Sequence, residues 1–119
     1  MAAPNIVNVT TITGKTAVQS PTTTPTDIVS NGAGSGQLYK IDSLVISNIN
    51  GVTAANVTAS LYRSAVEYRI AYQIVVPAAG SLVVIGKDTM LYLEEGDTLR
   101  LTAGTNSYLQ AVCSYEIIA

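Results

Sequence analysis

The stretch "YLQAVCSYEII" (residues 108–118) alternates between two kinds of side chain over its whole length. A period of two is typical of a β-strand with one face on a hydrophobic core, because successive side chains of a strand point to opposite faces. We therefore predict a strand here, with one set of residues on each face. One set is Leu109, Ala111, Cys113, Tyr115 and Ile117, and the other is Tyr108, Gln110, Val112, Ser114 and Glu116.

Three other stretches show the same alternation. They are "LYKIDSLVISN" (38–48), "NVTASLYR" (56–63), with Val57, Ala59 and Leu61 inward, and "YRIAYQIVV" (68–76), whose Tyr68, Ile70, Tyr72 and Ile74 share one face. No stretch has the sustained apolar stripe of an amphipathic helix. β-branched residues and tyrosine, which favour pleated sheets, dominate these stretches.

Turn sequences separate these stretches at fairly regular intervals, as expected for many short antiparallel strands. The pattern predicts an all-β fold, an antiparallel β-sandwich of about eight or nine strands, either jelly-roll or immunoglobulin-like. The turns are "SNGAGSG" (30–36), "NINGVTAAN" (48–56), "RSAVE" (63–67), "PAAG" (77–80), "GKD" (86–88), "EEGD" (94–97) and "AGTNS" (103–107). We expect "NGAGSG" (31–36) to be a flexible loop.

Residues 1–26 differ from the rest, with eight threonines and a single charge, Lys15. They form either an extended N-terminal arm that lies on a neighbouring subunit or a first strand plus a proline-stiffened linker. Residues 27–119 are assigned to the β-sandwich domain. The first ten residues lack the charged and apolar regions of a secretory signal peptide.

Composition argues against several classes of partner. The chain has 119 residues, enough for one domain, and only 12% of them are charged. The six basic residues are scattered, so we expect no nucleic-acid partner. Apolar runs are too short to span a membrane, so we expect no membrane partner. The low charge suggests that much of the surface contacts other proteins, such as copies of this chain.

The residues that catalysis and metal binding usually need are scarce. Histidine is absent, and the single cysteine, Cys113, lies on the apolar face of its strand, where we expect it to be a small buried hydrophobe. A serine or cysteine nucleophile therefore lacks a histidine base, and zinc and copper sites lack their usual ligands. We predict that the chain is not an enzyme and has no catalytic, cofactor-binding or metal-binding residues and no cofactor.

The acidic turn "EEGD" (94–97) is the stretch that looks most like a chemical site. Its carboxylates could contribute to a calcium site or act as paired catalytic acids, but adjacent turn residues seldom converge on one ion. The favoured interpretation is a hairpin with a three-residue loop, in which Leu93 pairs with Asp97 and Leu91 with Leu99. Gly96 would then take the left-handed conformation that such a loop requires.

Several segments together show a family resemblance. They are "LYKIDSLVISN" (38–48), "PAAGSLVVIGKD" (77–88), "LYLEEGDTLRLTA" (91–103) and "SYE" (114–116), with the opening "MAAPNIVNVTTITGK" (1–15). The chain resembles small virion structural proteins of tailed bacteriophages, especially those of T4-like phages that infect marine cyanobacteria. The resemblance covers residues 37–117 and has no catalytic residues to transfer.

The resemblance implies a non-enzymatic structural component of the virion. We expect a capsid decoration protein that assembles as a homo-oligomer, with copies of itself and the major capsid protein as partners. The alternatives are a neck, collar or tail structural protein, with neck or tail proteins as partners, or a receptor- or carbohydrate-binding module of a tail fibre. The last alternative would use some of the seven tyrosines as a stacking surface, although tryptophan is absent.

Overall fold

The computed structural model describes residues 9–119 and confirms the all-β prediction. Nine strands and one 3-10 turn, Lys87–Thr89, make up its regular structure within that range. The strands are β1 (Ile12–Gln19), β2 (Thr26–Ser30), β3 (Leu38–Asn48), β4 (Ala55–Arg63), β5 (Val66–Val76), β6 (Ser81–Ile85), β7 (Leu91–Leu93), β8 (Thr98–Ala103) and β9 (Leu109–Ile118). None of the residues described belongs to a helix long and apolar enough to cross a membrane.

The strands form two antiparallel sheets that pack face to face. Sheet A has the order β1-β9-β3-β6, and β7 pairs with the first part of β3, whereas sheet B has the order β2-β8-β4-β5. The first strand thus pairs with the last, the second with the next to last, and so on inward to the β4–β5 hairpin. This order is that of a jelly roll, with β6 and β7 together in the place of one strand.

The core lies between the sheets and follows the predicted alternation. In β9, Leu109, Ala111 and Cys113 are buried, whereas Gln110 and Val112 are exposed. In β4, Val57 and Ala59 are likewise buried, as the sequence predicts, whereas Leu61, also expected to point inward, is half-buried and packs against the core. Leucine, isoleucine and valine side chains from both sheets fill the space between them, and removing this apolar area from water is the main source of stability.

The N-terminal part of the described chain belongs to sheet A. Every residue of β1 pairs with β9, from Ile12 opposite Ile118 to Gln19 opposite Ala111. Residues 20–25 then lead across to β2 in sheet B. The described part of residues 1–26 is thus a first strand plus a linker, and residues 1–8, on which the arm prediction also falls, lie outside the described residues.

β5 does not keep the regular alternation that its sequence suggests. Its register against β4 shifts on both sides of Ala59, and Gln73 has a positive φ of 49°. In addition, β4 covers only one of its two edges. The apolar residues of β5 are therefore largely exposed, because β5 ends the sheet and its bulges turn side chains away from the core.

The β4–β5 hairpin turns through Ser64 and Ala65, within the predicted turn. Both residues have positive φ, 52° and 62°, and they connect the paired residues Arg63 and Val66. Two central residues with positive φ define a type I′ turn, which suits the twist of a hairpin but favours asparagine and glycine. A residue with a Cβ is strained in this conformation.

We expect Ala65→Gly to raise the free energy of unfolding by about 0.5 kcal/mol. The reason is that relief of left-handed strain, about 1–2 kcal/mol, exceeds the added entropy of the unfolded chain. Chemical denaturation measures the change. Ala33→Gly is the matched control, because Ala33 is exposed and is not among the residues with positive φ. A loss of stability in Ala65→Gly equal to that in the control would contradict the prediction.

Candidate functional site

The acidic turn connects the two sheets and is not a hairpin. β7 pairs with β3 in sheet A, whereas β8 pairs with β2 and β4 in sheet B, so the predicted pairs Leu93–Asp97 and Leu91–Leu99 are wrong. The backbone N–H of Asp97 donates to the carbonyl of Glu94 at 3.0 Å, which closes a four-residue turn. Gly96, at its third position, has a φ of 88°, so the predicted left-handed glycine is confirmed in a different kind of turn.

Asp97 anchors this turn through a buried carboxylate. Arg63, at the end of β4, donates from Nε at 2.7 Å and from Nη2 at 2.5 Å, and the backbone N–H of Glu94 donates at 2.9 Å. Burial by itself would raise the pKa of Asp97. The hydrogen bonds from Arg63 and Glu94, together with the positive charge of Arg63, outweigh burial and lower that pKa below its usual value.

Asn31, which was not predicted as a functional residue, connects the end of β2 to the acidic turn where the chain passes between the sheets. It is 1% exposed, and its Nδ2 donates to the carbonyls of Leu93 at 3.0 Å and Gln37 at 2.9 Å. The backbone N–H of Asn31 also donates to the carbonyl of Asp97, and the carbonyl of Asn31 accepts from the backbone N–H of Gly96, each at 2.9 Å. The segment expected to be a flexible loop therefore starts with an anchored residue. Only the asparagine before the glycine could have indicated it, since asparagine often bonds nearby backbone.

The remaining acids of the turn also have partners. Glu94 Oε2 accepts from Arg63 Nη2 at 2.8 Å, and Glu95 Oε2 accepts from the backbone N–H of Gly36 at 3.0 Å. Within residues 9–119, no three His, Cys, Asp or Glu side chains are grouped so that they could hold a metal ion. The carboxylates of this cluster accept hydrogen bonds from one arginine and from backbone N–H groups, so the cluster stabilises the connection between the sheets.

Cys113 is in the core, as predicted, and its exposed fraction is 0%. Burial, with a smaller contribution from the charge of Asp42, raises the pKa of its thiol to about 12. The thiolate is the reactive form of cysteine, so this thiol is inert at neutral pH.

The outer face of sheet A carries a row of four valines on adjacent strands, which we call the valine row. It consists of Val18, Val112, Val45 and Val83, opposite one another in register. Val18 is 75% exposed and Val83 61% exposed. The rows on either side contain uncharged residues: Thr16, Ser114 and Ser43 on one side, and Gln110, Ser47 and Ser81 on the other. A surface of this kind favours contact with another protein.

β5 also carries a series of exposed apolar side chains. Val66, Tyr68, Ile70, Tyr72 and Ile74 are each between 40% and 57% exposed. They occupy every second position of β5, but the register shifts against β4 place Tyr68 and Tyr72 on opposite faces, and within residues 9–119 no strand pairs with the outer edge of β5. This combination exposes both apolar side chains and unpaired backbone groups, so it can bind an extended segment of another chain.

The fold is shared with two proteins of known structure. A chain from the Bacillus endospore appendages, described as a novel family of disulfide-linked pili, matches with a TM-score of 0.50 and 16% identity, over 91% of this chain and 85% of that one. A chain from an archaeal virus, described by its triple jelly-roll fold and turret assembly, matches with a TM-score of 0.53 and 16% identity.

The second match covers 94% of this chain but only 30% of the archaeal virus chain. No protein-family model and no curated protein sequence matches this chain. At 16% identity the two likenesses establish the jelly-roll sandwich and nothing further about activity or partners.

We expect Asp97→Asn to lower the free energy of unfolding by about 2 kcal/mol, because it removes charge-assisted hydrogen bonds from a buried position. Glu94→Gln is the matched control, since Glu94 contacts the same arginine with a side chain that is 65% exposed. We expect the control to lose less than about 1 kcal/mol. Equal losses in the two variants, measured by chemical denaturation, would contradict the role given to Asp97.

The lowered pKa of Asp97 predicts a loss of stability in acid. A carboxylate whose pKa is lower in the folded state than in the unfolded chain stabilises the fold at pH values above its unfolded pKa, about 3.9. This contribution is lost as the pH falls through that value toward the folded pKa. The stability difference between the native chain and Asp97→Asn should therefore shrink below pH about 4. A difference that stays constant from neutral pH into this acid range would contradict the prediction.

Proposed function

We propose that this chain is a non-enzymatic structural subunit of a virus particle, most specifically a capsid decoration protein of a tailed phage. The observation that carries the proposal is the valine row. Val18 and Val83 are mostly exposed, and the residues around the row are uncharged. An apolar surface on a stable, low-charge sandwich is suited to repeated contact with neighbouring subunits.

The fold and the sequence resemblance support the same proposal independently. Jelly rolls are frequent in viral capsid proteins, and two structurally similar chains come from a pilus and from an archaeal virus. The segments "LYKIDSLVISN" (38–48) and "LYLEEGDTLRLTA" (91–103) resemble small virion proteins of tailed phages. The proposed partners are copies of this chain and the major capsid protein, and the proposed location is the virion.

The proposed lack of enzymatic activity is supported by how the acidic groups are used. The chain has no histidine, so a nucleophile would need some other base. Asp97 and Glu94 both bond Arg63, and Glu95 bonds the backbone of Gly36. The thiol of Cys113 is buried. Asp97 and Cys113 are therefore enclosed in the fold, and Glu94 and Glu95 already have hydrogen-bond partners, which supports a structural role for these groups.

One observation favours a second candidate, a carbohydrate- or receptor-binding module. Tyr68 is 57% and Tyr72 56% exposed on the same strand, and the Arg69 guanidinium carbon lies 4.8 Å from the centre of the Tyr72 ring. Exposed tyrosines stack on sugars, so each of these rings offers a stacking surface, although the register shift between them places the two rings on opposite faces of β5. Other tyrosines are engaged elsewhere. Tyr39 stacks on Tyr115, with ring centres 5.7 Å apart.

Copy number in purified particles tests the proposal. Quantitative mass spectrometry should find this chain in a ratio to the major capsid protein close to that expected for a decoration protein at every capsomer. A non-structural phage enzyme measured in the same preparation is the control for carry-over from the lysate. A ratio far below that of the capsid protein, but above the control, would favour the neck, collar or tail alternative.

Absence from the particle would overturn the virion proposal. Binding to a host polysaccharide on a glycan array, lost in Tyr68→Ala and Tyr72→Ala, would instead support the carbohydrate-binding module. The valine row gives a second readout on the particle. We expect Val112→Lys to prevent rebinding to particles that lack the chain, whereas Val52→Lys, at a loop residue that is 90% exposed, should bind normally.

A further inference from the structure

β5 is an edge strand with an open side. β4 pairs with one of its edges, and no strand within residues 9–119 pairs with the other. Such an edge presents unpaired N–H and C=O groups that can add a strand from another chain. Proteins usually protect long edges with proline, with like charges or by covering them. β5 contains no proline, and its two charged residues, Glu67 and Arg69, have opposite signs.

The other edge strands are less suited to pairing. β5 has 11 residues, whereas β2 and β6 have five each and β7 has three. β1 has eight residues, but its only charged residue is Lys15. Two copies of β1 that paired with each other would therefore form no pair of opposite charges. The regular part of β5 runs from Val66 to Arg69, before the register against β4 shifts. This part contains both charged residues.

Glu67 and Arg69 stand outside the salt bridges of the described chain, although the charge of Glu67 acts at longer range on Arg100. Neither forms a salt bridge within residues 9–119, whereas Arg63, Arg100 and Lys40 all do. Arg69 instead lies over the ring of Tyr72, where its guanidinium remains exposed to solvent. The two residues are separated by Tyr68, so they lie on the same face of the strand and one pleat apart.

We propose that two copies of this chain pair through β5, antiparallel, around a two-fold axis at Tyr68, so that Glu67 of each copy lies opposite Arg69 of the other. The two four-stranded B sheets would then form one continuous sheet of eight strands. Such a two-fold contact is isologous, since each copy contributes the same residues. This proposal deepens the proposed function, in which copies of the chain contact one another.

Charge selects this register among the symmetric ones. Residues opposite each other in an antiparallel pair point to the same face, so a two-fold pairing must be centred on one residue. Centring on Glu67 or on Arg69 places like charges opposite each other, which is destabilising. Centring on Ile70 leaves both charges opposite neutral residues and extends the pairing through the bulges and Gln73. Centring on Tyr68 forms two opposite-charge pairs inside the regular part of the strand.

The same register also covers exposed apolar groups. Tyr68, which is 57% exposed, would meet its own copy at the axis, and Val66, which is 47% exposed, would lie next to the partner strand. Aromatic pairs across adjacent strands stabilise a sheet. Backbone hydrogen bonds along the edge would add affinity, and the two charge pairs would set the register.

Charge reversal with a swap tests the proposal on the full chain. Sedimentation velocity over a dilution series should show a reversible dimer for the native chain. Arg69→Glu and Glu67→Arg should each lose the dimer, because each places like charges opposite each other at both positions. The double variant Glu67→Arg with Arg69→Glu should regain it, since the pairs are restored with reversed signs. Lys87→Glu, an exposed change on the 3-10 turn, is the control and should dimerise normally.

Each result supports or overturns the proposal. A native chain that is monomeric at every concentration, or an oligomer that persists in both single variants, overturns it. If deletion of residues 1–8 abolishes association while the charge variants do not, association depends on the N-terminal segment and the proposed pairing is wrong. The two proposals fail separately. If the charge swap does not restore the dimer, the β5 pairing is wrong, but the copy number of the chain in particles still tests the proposed function. If the dimer depends on charge but the chain is absent from particles, only the proposed function is wrong.

Discussion

The corner at which the chain passes between the two sheets depends on Asn31 and Asp97. A jelly roll requires several such passages, and at each one the backbone leaves a ladder and its buried polar groups need other partners. Asn31 bonds the end of β7 and the acidic turn, while Asp97 bonds the turn and Arg63 at the end of β4. Asn48 does the same at the end of β3, where its Nδ2 donates to the carbonyls of Thr53 at 3.0 Å and Val76 at 3.1 Å. The strands of the two sheets can pack on one core because these side chains satisfy the backbone polar groups where the chain leaves a strand.

Alternation was sufficient to predict the sandwich but not the way in which its strands connect. In β4 and β9 the inward residues, such as Val57 and Cys113, are those the period of two selects. Leu91 and Leu99 fit a hairpin equally well, because two strands that face each other across a core have the same pattern as two strands that pair. Only the long-range partners of β7 and β8 distinguish the two arrangements, and these depend on the whole chain. Asn31 was missed because its role depends on Leu93 and Asp97, which are distant in sequence.

Half of the basic residues of this low-charge chain form ion pairs within the fold. Three of the six basic residues pair with carboxylates in the fold: Arg63 with Asp97 and Glu94, Arg100 with Asp27, and Lys40 with Asp42 and Glu116. Apart from Lys40–Asp42, which lies within β3, these pairs join residues that are distant in sequence, so several of the few charged residues connect different strands and turns. The middle rows of the outer face of sheet A contain only valine, serine, threonine and glutamine. Such a surface gains more from contact with another protein than a charged one does, because it has little solvation to lose.

Folded copies of this chain cannot form a disulfide with one another, in contrast to the structurally similar pili, which are described as disulfide-linked. Its single cysteine is buried in the core, so folded copies of the chain have no accessible thiol for a bond between them. The proposed contacts are non-covalent and of two kinds, the valine row and the β5 edge. Salt screens the exposed Glu67–Arg69 pairs, whereas apolar contact at the valine row is not weakened by screening. Ionic strength would therefore weaken the two-fold pairing of copies while leaving attachment through sheet A intact, so the two surfaces can be distinguished by salt alone.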